Sequence, residues 1–278
     1  MKKYEKKGDW KFFVGILIGA VLIIIFFVGL IFSENHPFAN KIAVINIRGV
    51  ISSSPEILSE TFTTEDAFHM LKKVEEDPNI KGVLFVIDSP GGSVVASREI
   101  AYAVRDLNKP KLCWLGDIAA SGAYWIASSC DHIMADPLTI TGSIGVTASY
   151  LEFSKLFEKY GITYEQITSG ERKDIGSPFR NLTEEERRKL QYITEEIFSY
   201  FINDIKKRRN LTEEQVNELS KGDVYLAKDA INLGLVDSLG TLKDAKEKIK
   251  KMCHVEKVEF IPIEKKSLSL LELLGLFG

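Results

Sequence analysis

The sequence predicts an α/β domain built on a mainly parallel β-sheet with flanking helices, preceded by one apolar helix. Between residues 41 and 149, short apolar or β-branched runs alternate with segments of helical periodicity, which is typical of a parallel sheet covered by helices. Residues 82–87 are apolar almost throughout, as in a strand buried on both faces. Residues 12–32 carry no charge and as a helix span about 31 Å, which matches the bilayer core.

The elements of the soluble part follow in chain order. Residues 41–47 are predicted to form a strand because they are β-branched and bounded by turn residues. Residues 64–76 are predicted to form a helix with Thr64 as its N-cap, because apolar residues recur at helical spacing. The same criteria predict strands at 82–87, 111–115, 131–135 and 144–149, and helices at 94–107 and 121–128.

The chain becomes highly charged after residue 170. Residues 183–209 are predicted to form a long helix with a thin apolar stripe and a solvated charged face. Thr183 and Thr212 each begin a sequence that resembles a capping box. Within 226–239 we predict a short helix that ends at Gly234.

Residues 12–32 are predicted to be a retained membrane anchor. Five lysines and two acidic residues precede this run, so the positive-inside rule puts the N-terminus in the cytoplasm and the domain outside. A cleaved signal peptide is the alternative, but its apolar region is usually shorter and is followed by a small-residue cleavage site, which residues 31–35 do not offer. The linker at 33–40 reaches at most about 28 Å, so the domain lies close to the membrane.

Composition excludes several classes of partner and cofactor. A net charge of −3 gives no support for a nucleic-acid partner. The three cysteines have spacings that fit no zinc or iron–sulfur pattern. Cys113 and Cys130 lie in apolar runs and are expected to be buried free thiols.

Ser121 is the first candidate for chemistry, because the small residues on both sides of it leave its hydroxyl uncrowded. It and the glycine-containing loop at 89–92 each follow a predicted strand, and the carboxyl ends of parallel strands meet at one edge of a sheet. Together they suggest a nucleophile beside an oxyanion hole. The plainer interpretation is that Ser121 is a small residue at a helix start that allows close packing.

A serine nucleophile needs a base, and two bases are possible. His132 is the only one of the four histidines near the central motifs, so a serine–histidine–aspartate triad stays open. Lys173, with Ser143 as a polar neighbour, is the alternative. A lysine ordinarily titrates near ~10.4 and acts as a base only if desolvation favours its neutral form. By spacing alone, Lys173 is an ordinary loop lysine.

Four motifs make the chain resemble single-length bacterial signal peptide peptidases A, the serine–lysine peptidases of family S49, which have the Clp-protease/crotonase-like fold. The resemblance covers residues 41–262, and the N-terminal anchor agrees with it. Its motifs are DSPGG at 88–92, AASGAYWIA at 119–127, TGSIGV at 141–146 and SGERKD at 169–174.

The resemblance implies a role for each site residue. Ser121 resembles the nucleophile, Lys173 the general base, and Ser143 the hydroxyl that orients the lysine. Gly92 and Gly122 correspond to the residues whose amides form the oxyanion hole. No metal or other cofactor is implied.

The resemblance also implies an assembly and a substrate. Relatives form membrane-facing rings, with an octamer expected here, in which Lys173 of one subunit serves Ser121 of its neighbour. The expected substrates are signal-peptide remnants and other apolar peptides, cut by an endopeptidase outside the cytoplasm. We divide the chain into a cytoplasmic N-terminus (1–11), an anchor (12–32), a linker (33–40), a peptidase domain (41–266) and an apolar tail (267–278).

The tail and the function each leave alternatives open. The tail is either a short packing or interfacial helix, or a self-substrate that is trimmed or occupies the groove of its own ring. For the function, the nearest alternative is a related protease that cuts one membrane protein, such as a stomatin-like partner. A crotonase-like acyl-CoA enzyme and a non-catalytic scaffold are the others.

Overall fold

The computed structural model describes residues 10–32, 40–56 and 59–265. Its helices are α1 (Trp10–Phe32), α2 (Thr64–Glu76), α3 (Val94–Asp106), α4 (Gly122–Ala127), α5 (Ser154–Lys159), α6 (Glu184–Arg209), α7 (Glu213–Leu219), α8 (Ala227–Ala230) and α9 (Leu242–Met252). Its strands are β1 (Lys41–Arg48), β2 (Val50–Ser52), β3 (Thr61–Thr63), β4 (Ile80–Ser89), β5 (Lys111–Ala120), β6 (His132–Ala135), β7 (Ile140–Gly142), β8 (Val224–Leu226), β9 (Ser238–Leu239) and β10 (Glu259–Pro262).

The main sheet is parallel except at one short pair. Six strands lie in the order β10-β1-β4-β5-β6-β9, and all of these neighbours are parallel. Strand β7 pairs in parallel with the end of β5 and antiparallel with β8. Strands β2 and β3 form a separate parallel pair. This topology confirms the predicted α/β class with a mainly parallel sheet.

Helices cover both faces of the sheet, because alternate strand residues point to opposite sides. On one face, Ile45 and Phe85 belong to the large core that includes residues of α2, α3, α4 and α6. On the other face, Leu84 and Leu112 pack with Ile249 of α9. The central strands are therefore buried on both sides, as their continuous apolar sequences predict.

The strand register brings the glycine loop and the serine motif together. Ser89 at the end of β4 pairs with Ala119 of β5, so the loop that follows β4 lies beside the chain that leaves β5. On the other side of β5, Ala120 pairs with Gly142 of β7. Three consecutive motifs of the sequence consequently meet at the carboxyl edge of one sheet.

Several predicted elements need correction. Residues 144–149 are not a strand: β7 ends at Gly142, where Gly142 (φ 86°) and Ser143 (φ 48°) turn the chain away from β5. The N-cap of α2 is Thr63 rather than Thr64, because the Thr63 side chain accepts a hydrogen bond from the amide of Asp66. The helix predicted within 226–239 is only the four residues of α8, since β8 and β9 use the flanking chain.

The predicted capping boxes of the charged region are both present. The Thr183 side chain accepts from the Glu186 amide, and the Glu186 side chain accepts from the Thr183 amide. The Thr212 side chain and Gln215 make the corresponding pair at the start of α7. Each box satisfies amides that the helix itself leaves without a partner.

The N-terminal apolar run lies within α1. Among the residues that the structure describes, no helix is long and apolar enough to cross a membrane. The predicted linker, apart from residue 40, and the predicted tail lie outside the described residues.

Cys113 and Cys130 are not free thiols, contrary to the expectation from their apolar surroundings. They form a disulfide between β5 and the turn after α4, with Cα atoms 6.0 Å apart. That separation is within the range that a disulfide spans. Cys253 is the free cysteine of the described chain, and burial raises its pKa to about 11.

The pairing predicts how many thiols react in the unfolded chain. Protein unfolded without reductant should take up one maleimide, on Cys253, and protein unfolded after reduction should take up three. The Cys253→Ser variant is the control, because it should lose one label in each state. Three labels without reductant would show that the disulfide does not form.

Candidate active site

Ser121 has a strained backbone conformation at the junction of β5 and α4. Its φ of 53° and ψ of −125° are unusual for a residue with a side chain, and such strain is concentrated at functional sites. Two hydrogen bonds fix the residue: its amide donates to the Gly142 carbonyl at 2.9 Å, and its carbonyl accepts from the Trp125 amide at 3.1 Å. The sheet on one side and the helix on the other thus hold this conformation.

Helix α4 anchors the serine in the core, since all six of its residues are buried. The Tyr124 hydroxyl donates to the Leu235 carbonyl at 2.9 Å. The Trp125 indole donates to an Asp204 carboxylate oxygen at 2.6 Å and stacks on Phe201 with ring centroids 4.4 Å apart. The helix that begins at the candidate nucleophile is therefore rigidly mounted.

Gly92 offers its amide at the same place. The loop forms a bridge with Ile51 in which the Ile51 amide donates to the Gly91 carbonyl and the Ser93 amide donates to the Ile51 carbonyl. This bridge does not use the amide of Gly92. A side chain at position 92 would lie 2.0 Å from the Ile51 carbonyl oxygen, so close approach requires glycine here.

Gly122 supplies a second amide, and steric contact requires glycine there too. It is the first residue of α4, so its N–H has no acceptor within the helix. A β-carbon on Gly122 would lie 2.1 Å from Ser97 Oγ and 3.5 Å from the Gly92 nitrogen. The Gly92 and Gly122 backbones are thus neighbours, as an oxyanion hole requires.

A small cavity lined by both polar and apolar residues lies beside Ser121. Its volume is about 150 Å³, and both Gly92 and Gly122 line it. Its apolar lining comes from Val94, Trp125, Val146 and Phe201. An apolar cavity of comparable size in another protein takes up benzene, so this one has room for a small or aliphatic side chain.

Ser143 lies next to Ser121 along the sheet edge. Its φ is 48°, and its amide donates to the Asp223 carbonyl at 2.8 Å. Ser121 and Ser143 both line a second cavity of about 360 Å³. Four of the five predicted site residues, Ser121, Ser143, Gly92 and Gly122, consequently meet around two adjoining cavities.

Lys173 stands apart from these four residues. It lies in an exposed turn between α5 and α6 and lines neither cavity that contains Ser121. Within the described ranges, its amine makes no hydrogen bond or ion pair. Ser121 Oγ likewise has no hydrogen-bond partner among the described residues, so the single chain does not assemble a serine–lysine pair.

His132 does not face Ser121 either. It begins β6 in register with Leu112, near the start of β5, whereas Ser121 follows the end of β5. Nine residues of strand between them correspond to roughly 25–30 Å. His132 Nε2 instead lies 2.7 Å from Ser238 Oγ, and burial lowers the pKa of His132. The histidine alternative for the base is therefore wrong within one chain.

An ion cluster holds the turn that carries Lys173. The Arg180 guanidinium donates to both oxygens of Asp174, at 2.8 and 2.7 Å, and to both oxygens of Glu186, at 2.8 and 2.6 Å. These bonds lower the pKa of Asp174 and lower that of Glu186 to about 2. The adjacent Arg172 pairs with Glu185.

Val94 and Arg180 were not predicted to be part of the site. Val94 follows the glycine loop directly, so it forms part of the cavity wall because the loop does. No local sequence pattern indicated a role for Arg180, because its two partners lie six residues before it and six residues after it. Phe201 was recognised only as part of an apolar stripe, and the structure shows that this stripe reaches the cavity.

Acyl transfer needs a hydroxyl beside backbone donors and room for the side chain next to the reacting carbonyl. The sheet edge at Ser121 meets these needs, and the fold and site therefore define a serine hydrolase. The comparison with known families gives a more specific assignment. Residues 103–256, more than half of the chain, match the model of peptidase family S49. The chain belongs to this family of proteases.

Related sequences agree with this assignment. A protein of Methanocaldococcus jannaschii named as a protease is 37% identical over 76% of this chain and 67% of its own length. A protein of Enterococcus faecium named as signal peptide peptidase SppA is 38% identical over 76% of this chain and 63% of its own length. Protease 4 of Haemophilus influenzae is 34% identical over 80% of this chain but only 36% of its own length.

Solved structures share the fold at low sequence identity. A mutant of the 1510-N membrane-bound stomatin-specific protease superposes with a TM-score of 0.55 and 16% identity, over 82% of this chain and 99% of that one. A second mutant of that protease, in complex with a substrate peptide, gives a TM-score of 0.53 at 16% identity, over 85% of this chain and 96% of that one.

The close packing of Gly122 against Ser97 predicts that a second substitution can partly rescue the Gly122→Ala variant. Gly122→Ala should destabilise the protein by about 1–3 kcal/mol and disturb the amide that it carries, because the new methyl overlaps Ser97. Adding Ser97→Gly removes both atoms that would overlap it, so peptidase activity should return in part. Ser97→Gly alone is the control, and equal losses in the single and double variants would contradict the steric account.

The Arg180 cluster predicts an acid-sensitive contribution to stability. Because the pKa of Glu186 falls from 4.5 to about 2 on folding, its stabilisation is present above pH 4.5 and is lost as the pH falls toward 2. The Tm difference between the unmodified protein and Glu186→Gln should therefore narrow over that window. Glu184→Gln changes an exposed residue two positions earlier in the same turn, and its Tm should differ little from that of the unmodified protein at any pH. A constant Glu186→Gln difference would contradict the assignment.

Proposed function

We propose that this protein is a membrane-anchored serine endopeptidase in which Ser121 is the nucleophile and Lys173 the general base. The observation that carries the proposal is the register of β4, β5 and β7. It brings the strained Ser121 to two neighbouring glycine amides at the edge of a partly apolar cavity. Each of these groups has a defined task in peptide-bond hydrolysis.

The reaction follows from these groups. The neutral Lys173 amine takes the proton from Ser121 Oγ as the oxygen attacks the substrate carbonyl carbon. The amides of Gly92 and Gly122 donate to the oxyanion that forms. The protonated lysine then gives its proton to the leaving amine, and water, activated by the same amine, hydrolyses the acyl-enzyme ester. Ser143 orients the lysine.

The lysine comes from a neighbouring subunit in this proposal. Lys173 belongs to a surface arm, residues 146–182, whose only helix, α5, has no buried residue. The arm is folded on itself, with Phe179 against Phe157 and Tyr164 at centroid distances of 5.3 and 5.0 Å. A free amine on such an arm is well suited to reach another subunit. Burial there would favour its neutral form.

Exposed apolar side chains on the arm support assembly into a ring. Leu151, Tyr160 and Ile167 are 71%, 68% and 92% exposed in the single chain. Apolar residues that cluster on one exposed segment are typical of surfaces that bind another protein. A ring of identical subunits covers them and completes each site, and we expect an octamer.

The proposed anchor is the uncharged run at 12–32, with the N-terminus in the cytoplasm and the peptidase domain outside. The lysine-rich first eleven residues support this orientation. The disulfide between Cys113 and Cys130 also supports it, because disulfides persist mainly outside the cytoplasm.

Apolar peptides, and signal-peptide remnants in particular, are the proposed substrates. The cavity beside Ser121 is small, and the apolar part of its wall favours a small or aliphatic residue at the cleaved position; this part is formed by Val94, Trp125, Val146 and Phe201. Signal-peptide cores consist of such residues and remain near the membrane after precursor processing. Cleavage of one membrane protein, with no turnover of free apolar peptides, would favour the alternative substrate instead.

The dyad is tested by hydrolysis of a fluorogenic apolar peptide by the full chain in detergent. Ser121→Ala should lower kcat by roughly 10⁴-fold or more, because the acyl-enzyme cannot form. Lys173→Ala should lower it by about 10²- to 10⁴-fold, the usual contribution of a general base. Lys155→Ala removes another exposed lysine of the arm and should leave the rate unchanged.

The shared site is tested by mixing the two inactive variants. Rings that contain both Ser121→Ala and Lys173→Ala chains should regain activity, because some sites then combine an intact serine with an intact lysine. Verified mixed rings without any activity would contradict sharing. Full activity in Lys173→Ala rings would contradict the lysine as the base.

A further inference from the structure

Hydrogen bonds and ion pairs on both sides of Lys173 hold the turn that carries it. Within the turn, the Lys173 amide donates to the Gly170 carbonyl at 3.1 Å, and the Ser177 amide donates to the Asp174 carbonyl at 2.9 Å. The residue before the lysine, Arg172, is paired with Glu185. The residue after it, Asp174, is paired with Arg180. Lys173 is exposed between two residues whose side chains are both fixed.

The ion pairs of Arg180 are stronger than the ion pair of Arg172. Its guanidinium forms two bidentate pairs at once, with Asp174 of the turn and with Glu186 of α6. Their side chains are only 14% and 4% exposed, and that of Arg180 is 25% exposed. Charge-assisted bidentate pairs combine strength with a fixed geometry. The turn is thereby joined to the helix through one side chain.

Glu186, the residue of α6 that pairs with Arg180, is itself held in place. Glu186 is the third residue of α6, and its carboxylate also accepts from the Thr183 amide at 2.8 Å in the capping box. Farther along, α6 enters the core at Phe201, Ile202 and Ile205, which are all buried. A continuous path of bonded groups therefore runs from the rigid domain to the residue next to Lys173.

We propose that Arg180 is a positioning residue for Lys173, which it holds in the geometry that serves Ser121 of the neighbouring subunit. The inference rests on the proposed function. The helix of the arm buries none of its residues, and the ion cluster is the connection that joins the lysine turn to α6. Precise placement matters because a misplacement of about 1 Å can cost 10²-fold in rate.

Mixed rings separate this role from a general effect on folding. The baseline ring combines a serine donor, which carries Lys173→Ala, with a lysine donor, which carries Ser121→Ala. Arg180→Gln is then added to the lysine donor in one preparation and to the serine donor in another. The substitution and its effect on stability are the same in both, and only the chain that supplies the working lysine differs.

The proposal predicts an asymmetric result. Arg180→Gln in the lysine donor should lower kcat by about 10- to 100-fold with KM nearly unchanged, because the substrate still binds around the intact serine. In the serine donor it should change kcat by less than about twofold. Arg180→Lys in the lysine donor should give an intermediate loss of kcat, since lysine keeps the positive charge but cannot form the two bidentate pairs.

Arg187→Gln is the matched control in the lysine donor. It removes an arginine from the first turn of α6, next to Glu186, and the ion pair that this arginine makes among the described residues is with the exposed Glu184. Its kcat should stay at the baseline value. An equal loss with Arg187→Gln would overturn the specific role of Arg180.

Three further outcomes would also overturn the inference, and they are distinguishable. With an active baseline ring, equal losses from both placements of Arg180→Gln, or no loss from either, would remove the positioning role and leave the proposed function intact. A baseline ring that is assembled and inactive would refute the shared site of the proposed function, and with it the role assigned to Arg180.

Discussion

The candidate site depends on the parallel pairing of β5 with β4 on one side and with β7 on the other. The pairs Ser89–Ala119 and Ala120–Gly142 determine where the three loops leave the sheet. A shift of one residue in either pair would turn alternate side chains to the wrong face and separate the loops. The buried Leu84, Phe85 and Leu112 fix this register through the core, so the geometry around Ser121 follows from the packing of the sheet.

The two halves of the proposed site are built in different ways. Around Ser121 the structure is rigid, since α4 is buried and both glycines are closely packed against neighbouring residues. Lys173 instead lies on an arm that is folded on itself by aromatic contacts and joined to α6 by the ion pair between Arg180 and Glu186. This difference is consistent with the proposed completion of the site by assembly, in which an isolated subunit would have no base at its serine.

The sequence predicted those parts of the fold that depend on local pattern. The limits of α2 were correct, and both capping boxes at Thr183 and Thr212 were present. The strand at 144–149 was wrong because Ser143 adopts a positive φ, which an apolar run does not reveal. The disulfide and the Arg180 cluster were missed because both depend on tertiary proximity. Gly92, Gly122, Ser121 and Ser143 were brought together as expected, whereas the role of Lys173 remains a prediction.

The proposed nucleophile is tested most directly by identifying the residue that carries the acyl group during turnover. The full chain would be mixed with an apolar peptide ester, quenched in acid, digested and analysed by mass spectrometry. We expect an acyl adduct on Ser121 that is present in the unmodified protein and absent from Ser121→Ala. An adduct on another residue, or undiminished turnover in Ser121→Ala, would contradict the central claim that the strand register builds a serine nucleophile at this position.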